Sequence, residues 1–359
     1  MKQIAYIMAG GVGKRFWPVS RRSTPKQYQS IAGGYSLLYE TVERIKELLP
    51  LSNIFIGTTV EQKEKVISQL KDFKESNLIL EPESRNTAPC IALAVAKIKK
   101  HFPKAIMAVL PVDHRIFEKK KFLSTLNKAM LWASNSPNIV TLGILPYKPA
   151  TGYGYMQIEE KVGEINETFV YKVNRFIEKP SFDLAVEFVR SGKYFWNSGI
   201  FIFSIETIWE AFKTALPSVF KGMEIIYSAL ETAAEEETIK QEFSKFPIIS
   251  IDFGVMEKIN NIVMLPGDFG WYDIGSWATL EELWEKDANG NVTTGDFFPY
   301  ETSDCIIKSE KGLVATVGVK DLIIISTEDI TLVCNKQKSE DIKKLVEMLE
   351  KDKNLKKYL

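Results

Sequence analysis

Residues 8–27 read Met-Ala-Gly-Gly-Val-Gly-Lys-Arg-Phe-Trp-Pro-Val-Ser-Arg-Arg-Ser-Thr-Pro-Lys-Gln. They follow a short apolar run, Ile4 to Met8, that reads as a buried strand. Gly10, Gly11 and Gly13 let a ligand approach the main chain, because no Cβ stands in the way. Successive N–H groups in such a turn form an anion-binding concavity. Five cations follow with no acid among them: Lys14, Arg15, Arg21, Arg22 and Lys26. Amide donors close in, then fixed positive charge, suit a polyphosphate.

Two familiar phosphate motifs fail on this stretch. A P-loop requires Ser or Thr after its lysine and a glycine five positions before Gly13. Here Arg15 follows Lys14, and Met8 holds the other position. The dinucleotide fingerprint requires a third glycine where Phe16 stands. That disfavours a nicotinamide dehydrogenase.

The rest of the chain supplies a frame. Apolar runs near 4–8, 53–58, 77–80, 105–110 and 138–144 alternate with amphipathic segments at Ser36 to Leu49, Thr87 to Lys100 and Lys119 to Ala133. Strands alternating with helices predict a parallel sheet covered on both faces. Residues 146–180 change to period two, with Met156 and Ile158, then Phe169, Tyr171 and Val173. That predicts a hairpin and so a mixed, mainly parallel sheet. Ser181 is expected to cap a helix, Trp196 to Phe201 to open another strand, and 204–245 to be helical. Short strands are expected from Asp252 to Asp273, and a further helix over Ser276 to Glu285.

After Lys286 the composition shifts to short β-rich runs at 304–308, 312–317, 321–326 and 330–334, then a charged helix near 338–351. The expected division is a catalytic domain over 1–286 and a small β-helix-like domain over 287–359. The chain carries 46 Lys and Arg against 46 Asp and Glu, so no basic excess favours a nucleic-acid polymer or a membrane surface. Three separated cysteines (Cys90, Cys305, Cys334) build neither a disulfide framework nor a zinc site. With no leader at its N-terminus and no membrane-length apolar run, the chain is expected to be cytoplasmic.

Several segments bear chemistry. Asp113 lies in Leu-Pro-Val-Asp-His just past a strand, and Asp273 in Gly-Trp-Tyr-Asp-Ile-Gly. One or two carboxylates plus substrate phosphates are the usual holders of Mg²⁺. Taken singly, each aspartate better suits a cap or turn; as a pair they favour metal binding. His114 either contacts ligand or orients Asp113. Glu81-Pro-Glu-Ser-Arg-Asn-Thr-Ala-Pro89 ends a strand and opens a helix. A carboxylate accepts both donors on the guanine edge, which makes Glu81 a guanine reader, with Arg85, Asn86 and Thr87 nearby for base or ribose. The plainer reading there is an ordinary helix cap at Asn86 or Thr87, and the two are compatible because helix starts also favour anions. In Phe176-Ile-Glu-Lys-Pro180, strand alternation points Glu178 and Lys179 to opposite sides unless a turn intervenes. Asn197 and Gly199, in Trp-Asn-Ser-Gly, offer a hydrogen-bonding amide and close approach.

Taken in order, these segments resemble the mannose-1-phosphate guanylyltransferase branch of the sugar-1-phosphate nucleotidylyltransferases over nearly the whole chain. Thr151-Gly-Tyr-Gly-Tyr155 and Trp271-Tyr-Asp-Ile-Gly-Ser-Trp277 belong to the same pattern. The resemblance implies a Rossmann-like, glycosyltransferase-A-like α/β domain and a small left-handed β-helix. It implies the reaction of GTP with mannose 1-phosphate to give GDP-mannose and pyrophosphate. Ala9, Gly10, Gly11, Gly13, Lys14, Arg15 and Lys26, with Glu81, Arg85, Asn86, Thr87 and Asp113, would bind the nucleotide. Gly152, Tyr153, Glu178, Lys179, Asn197 and Gly199 would bind the sugar phosphate. Asp113 and Asp273 would hold Mg²⁺, and the reacting set would be Arg15, Lys26, Asp113, Lys179 and Asp273. A homodimer is implied, and the cupin isomerase domain of longer relatives is expected to be absent. The same chemistry on another sugar phosphate or nucleotide, or a silent nucleotide-sugar-binding subunit, are the competing functions. Arg21 and Arg22 receive no role beyond tethering the loop.

Overall fold

The computed structural model describes residues 1–31 and 34–359. By packing, the chain forms two compact units that are not separated by a single cut in sequence. The first comprises Met1–Gly10, Thr41–Val112 and Ile116–Trp271; the second comprises Gly11–Glu40, Asp113–Arg115 and Tyr272–Leu359.

The first unit is built on a nine-stranded sheet. Its order is Leu78–Glu81, Ile54–Thr59, Gln3–Met8, Ile106–Pro111, Tyr194–Ser204, Ile139–Ile144, Ile262–Pro266, Thr168–Ile177, Tyr155–Ile165. The first four strands run parallel. Tyr194–Ser204 then enters antiparallel to both of its neighbours, and the hairpin closes the far edge, so the sheet is mixed as expected. The central strands are buried throughout, which is why they read as unbroken apolar runs rather than alternating ones.

Helix Thr87–His101 buries Ile91, Leu93, Val95 and Ile98 in the main core. Helix Lys119–Asn135 buries Phe122, Leu126 and Met130. The long helical stretch resolves into Ile205–Ala215, Pro217–Ala229 and Glu235–Phe243. Ser181 caps Phe182–Ser191 as expected, accepting from the Leu184 N–H. Residues 251–258 depart from expectation. They form the short helix Ile251–Gly254 and a helical turn, Met256–Lys258, instead of strands. Ser250 caps the first of these, and its competing hydrogen bond is what a strand pattern cannot foresee.

Gly57 shows how tightly this sheet is packed. A Cβ there would overlap the buried Tyr6 hydroxyl, which donates to the Cys90 carbonyl at 3.3 Å. We expect Gly57→Ala to destabilise the protein by about 1–3 kcal/mol through overpacking. An unchanged thermal melting temperature would show that Tyr6 can yield.

In the second unit, Val292–Thr294, Ile306–Ser309 and Leu322–Ser326 stack in parallel, as do Phe297–Tyr300 and Val314–Val317. Short parallel strands stacked coil on coil make the β-helix-like part. Strands 292–294 and 297–300 are absent from the sequence expectation, being short and turn-flanked. The helix expected over 276–285 is only a 3₁₀ segment, Trp277–Glu282, and the last helix begins at Ile342 after a 3₁₀ stretch. Phe16, Trp17, Ile274, Trp277, Ile306, Ile323, Ile342 and Val346 share this unit's core. Phe16 packs against Trp277 with ring centroids 5.1 Å apart, and Trp277 Nε1 donates to the Trp17 carbonyl at 3.2 Å.

Candidate active-site groups

The glycine-rich turn belongs to the second unit from Gly11 onward. Gly13 has φ of 74°, and a Cβ on it would press within 2.7–3.0 Å of the Lys26 side chain. Glycine is therefore required there twice over, for its dihedral and for space. Nothing lies within 4 Å of where a Gly11 Cβ would sit, so that stretch of main chain is open. Gln27, buried, donates to the Gly11 carbonyl at 2.7 Å, and Ser20 donates to the Val12 carbonyl at 2.5 Å. Pro25-Lys26-Gln27 thus props the turn from behind.

The cations of this stretch already have partners. Arg15 Nη1 lies 3.2 Å from both carboxylate oxygens of Glu340. Lys14 pairs with Glu350 at 2.9 Å, and Arg22 reaches the same carboxylate at 3.3 Å. Arg21 forks onto Asp329 and donates to the Thr327 hydroxyl, which tethers the loop. The Arg21 hydrogen bond holds the Asp329 carboxyl down at about 2. Solvent-exposed pairs like Arg15–Glu340 are worth about 0–1 kcal/mol, so little is lost when such a pair opens.

Lys26 is the inward-facing cation. Its ammonium donates to Asp113 at 2.5 Å and to the Ile274 carbonyl at 3.0 Å. Burial works to raise the Asp113 carboxyl, but the charges of Lys26 and His114 and the Lys26 hydrogen bond hold it at about 2. Asp113 is therefore ionised at any physiological pH. The Ile274 N–H donates to the Asp113 carbonyl at 3.0 Å, which brings Asp273 beside it. Among the described residues, Asp113, His114 and Asp273 form a group whose ligand atoms all lie within 4.8 Å of one another. A Cβ on Gly275 would come 3.2 Å from an Asp273 oxygen and 3.3 Å from Arg15 Nη1, so these two side chains share a border. Two carboxylates suit a hard, oxygen-preferring divalent cation; the buried imidazole of His114 is the softer donor of the three.

In the first unit Glu81 ends its strand, 3% exposed. A Cβ on Gly10 would come 3.1 Å from its Oε1, so the glycine makes room for the carboxyl. Burial lifts Glu81 to about 7, against a hydrogen bond with Cys90 that lowers it. In the unfolded chain the group releases its proton near 4.5, while the native protein keeps it to about 7. The native state binds more protons over that window, so this group's contribution to stability falls as pH rises through it. We expect Glu81→Gln to be progressively more stable than the parent as pH rises from 4.5 to 7, by up to about 3 kcal/mol. A stability difference independent of pH, measured by urea denaturation, would exclude this.

Asn86 takes φ of 70° and its side chain caps the next helix, accepting from Thr87 N–H at 2.8 Å. Thr87 Oγ1 accepts from the Ile251 N–H at 2.8 Å. Arg85 pairs with Glu83 and donates to the Phe246 carbonyl. The cap reading of this segment therefore holds, and its polar side chains are engaged within the unit.

The sugar-phosphate candidates come together in the first unit. Lys179 takes φ of 49°, a turn just past the strand, which brings its ammonium 3.4 Å from Glu178 on the same side. Its N–H donates to the Tyr153 carbonyl at 3.3 Å, and Asn197 N–H donates to the Gly154 carbonyl at 2.8 Å. Tyr153 sits edge-on to Trp196 and Trp271, with centroids 5.1 and 5.2 Å away. Gly199 N–H donates to Asn197 Oδ1 at 3.0 Å. Two residues absent from the sequence reading join them. Asp252 accepts from Asn197 Nδ2 at 2.9 Å, and Glu257 accepts from the Glu178 N–H at 3.1 Å. Their signal was an acid at each end of a short apolar run, Asp252 to Glu257, which strand periodicity hid.

Comparison with known proteins decides the family. The nucleotidyl transferase model matches residues 4–290, and the mannosephosphate isomerase/GMP-like β-helix model matches 298–349. The mannose-1-phosphate guanylyltransferase of Salmonella montevideo is 39% identical over 96% of this chain and 73% of its own length. This chain belongs to the mannose-1-phosphate guanylyltransferase family. The Escherichia coli K12 member is 37% identical, again over 96% of this chain and 73% of the relative. A Thermus thermophilus crystal structure, described as a mannose-1-phosphate geranyltransferase, superposes with a TM-score of 0.86 at 32% identity, covering 98% of this chain and all of that one. The family's mixed-sheet fold and β-helix-like C-terminal part are those described above. No helix among the described residues is long and apolar enough to cross a membrane.

Proposed function

We propose that this protein transfers GMP from GTP to α-D-mannose 1-phosphate, releasing pyrophosphate. The observation that carries the reading is the convergence of Lys26, Asp113 and Asp273 behind a glycine turn, in a chain of this family. An oxygen of the sugar phosphate forms a bond to the α-phosphorus of GTP as the bond from that phosphorus to the pyrophosphate oxygen breaks. Arg15, Lys14 and Lys26, with the main chain from Ala9 to Gly13, hold the triphosphate. Lys26 would exchange its bond to Asp113 for phosphate oxygens. Glu81 reads the guanine edge, and the two donors of that edge favour its ionised form, so binding draws off the proton that burial retains. Arg85, Asn86 and Thr87 border the base and ribose. Lys179 holds the sugar phosphate, with Gly152, Tyr153, Glu178, Asn197 and Gly199 around the ring.

Asp113 and Asp273 fit Mg²⁺ by donor chemistry, and we assign them to it, with His114 orienting Asp113. The ion, when bound, supplies charge neutralisation for the triphosphate and the leaving pyrophosphate. Positioning and charge supply most of the acceleration, since no covalent intermediate on the protein is involved. We further propose a cytoplasmic homodimer in which the catalytic part is 1–286 and the β-helix part 287–359. Gel filtration with light scattering tests the dimer. A panel of nucleoside triphosphates and sugar 1-phosphates, scored by pyrophosphate release, tests the reaction. GTP with mannose 1-phosphate is expected to be the best pair, and a better turnover with another pair overturns the assignment.

A further inference from the structure

The group around Lys179 holds more acid than a phosphate site needs. Glu178, Asp252 and Glu257 stand near one lysine, and a phosphate dianion brought to them meets net negative charge. What suits surplus carboxylates is a ring bearing hydroxyl donors, with the phosphate turned toward Lys179.

Asn197 is the natural hydroxyl ligand from sequence, but its amide is committed. Its Oδ1 accepts from Thr141 Oγ1 at 3.2 Å and from Gly199 N–H at 3.0 Å, and its Nδ2 donates to Asp252 Oδ1 at 2.9 Å. The residue is 8% exposed. Those two donors to the carbonyl fix the amide's orientation, so the NH₂ must face Asp252. Asp252 is itself anchored. It lies on the Ser250-capped turn whose Ile251 N–H is bonded to Thr87 Oγ1. A carboxylate has about four lone-pair sites. Asn197 Nδ2 takes one of them. Burial pushes both Asp252 and Glu178 above the usual carboxylate range.

We infer that Asp252 is a specificity-determining acceptor for one ring hydroxyl of the sugar phosphate, and that Asn197 acts by positioning it. The inference rests on the reading that the Lys179 group takes the sugar phosphate. It extends that reading by moving hydroxyl recognition onto a residue from a different segment.

The test uses the full chain with mannose 1-phosphate and a set of analogues, each lacking one ring hydroxyl. The unaltered protein should lose at least about tenfold in kcat/KM on one of them, as expected for a lost hydrogen bond to a charged group. Asp252→Asn should raise KM for mannose 1-phosphate about tenfold, leave KM for GTP within about twofold, and no longer discriminate against that one analogue. Asn197→Ala should give a smaller shift of the same kind, and none when added to Asp252→Asn, because it acts through that carboxylate. An unaltered protein indifferent to every deletion overturns the inference without any variant. So does an Asp252→Asn protein that keeps its discrimination, or that changes both KM values alike. Lys179→Ala separates the two layers. If it leaves KM for mannose 1-phosphate unchanged, the sugar-site reading itself fails. If it raises that KM while Asp252→Asn does not, only the present inference fails.

Discussion

Replacing Arg15 with alanine should lower kcat by about 100- to 1000-fold, the usual loss when a donor to developing transition-state charge is removed. The melting temperature should scarcely move. Arg15 and its partner Glu340 are 39% and 67% exposed, so their ion pair contributes little to folding. Phe16, its neighbour in sequence, is fully buried and carries the packing of this stretch instead. Arg15→Lys should recover only part of the loss, because an ammonium lacks the planar fork that meets two phosphate oxygens. Lys26→Ala should be as damaging to turnover but is a less clean experiment. Lys26 is 11% exposed, lies against the Gly13 turn, and neutralises Asp113, so its loss also leaves a partly buried carboxylate unpaired. Steady-state kinetics beside differential scanning calorimetry separate the effects. Near-normal turnover in Arg15→Ala would remove it from the reacting set.

How far such residues can be found from sequence depends on how locally their positions are determined. Buried parallel strands are local apolar runs, and Gln3–Met8, Ile54–Thr59 and Ile106–Pro111 were legible to within about a residue for that reason. Ser181 and Asn86 were legible as caps because a cap is a local hydrogen bond. The pairing of Arg15 with Glu340, and of Lys14 with Glu350, spans more than three hundred residues of chain and leaves no local trace. The same holds for the contact of Asp252 with Asn197, which depends on a Ser250 cap outcompeting a strand-like apolar pattern. Resemblance supplied the order of the motifs, but it could not say that Lys26 rests on Asp113, or that both amide groups of Asn197 are already in use. Those facts come from packing.

Asp273→Asn should abolish metal-dependent turnover while leaving the fold intact. Asp273 and Asp113 bring two carboxylates into a group whose ligand atoms fall within 4.8 Å of one another. Like charges at that range repel, so neutralising one of them removes a repulsion. The site tolerates the repulsion because Lys26 offsets Asp113 and Arg15 borders Asp273. Two carboxylates held this close, with cations beside them, are what a divalent cation site needs. Asparagine retains the shape and one acceptor oxygen but not the charge. The variant should therefore fold, lose saturable Mn²⁺ binding followed by electron paramagnetic resonance, and show no rescue of turnover up to millimolar Mg²⁺. Asp113→Asn should lose the ion as well, but it also strips Lys26 of its partner, so a fall in melting temperature is expected only for that second variant. If Asp273→Asn binds Mn²⁺ as the parent does and keeps the same Mg²⁺ dependence, Asp273 is not a ligand.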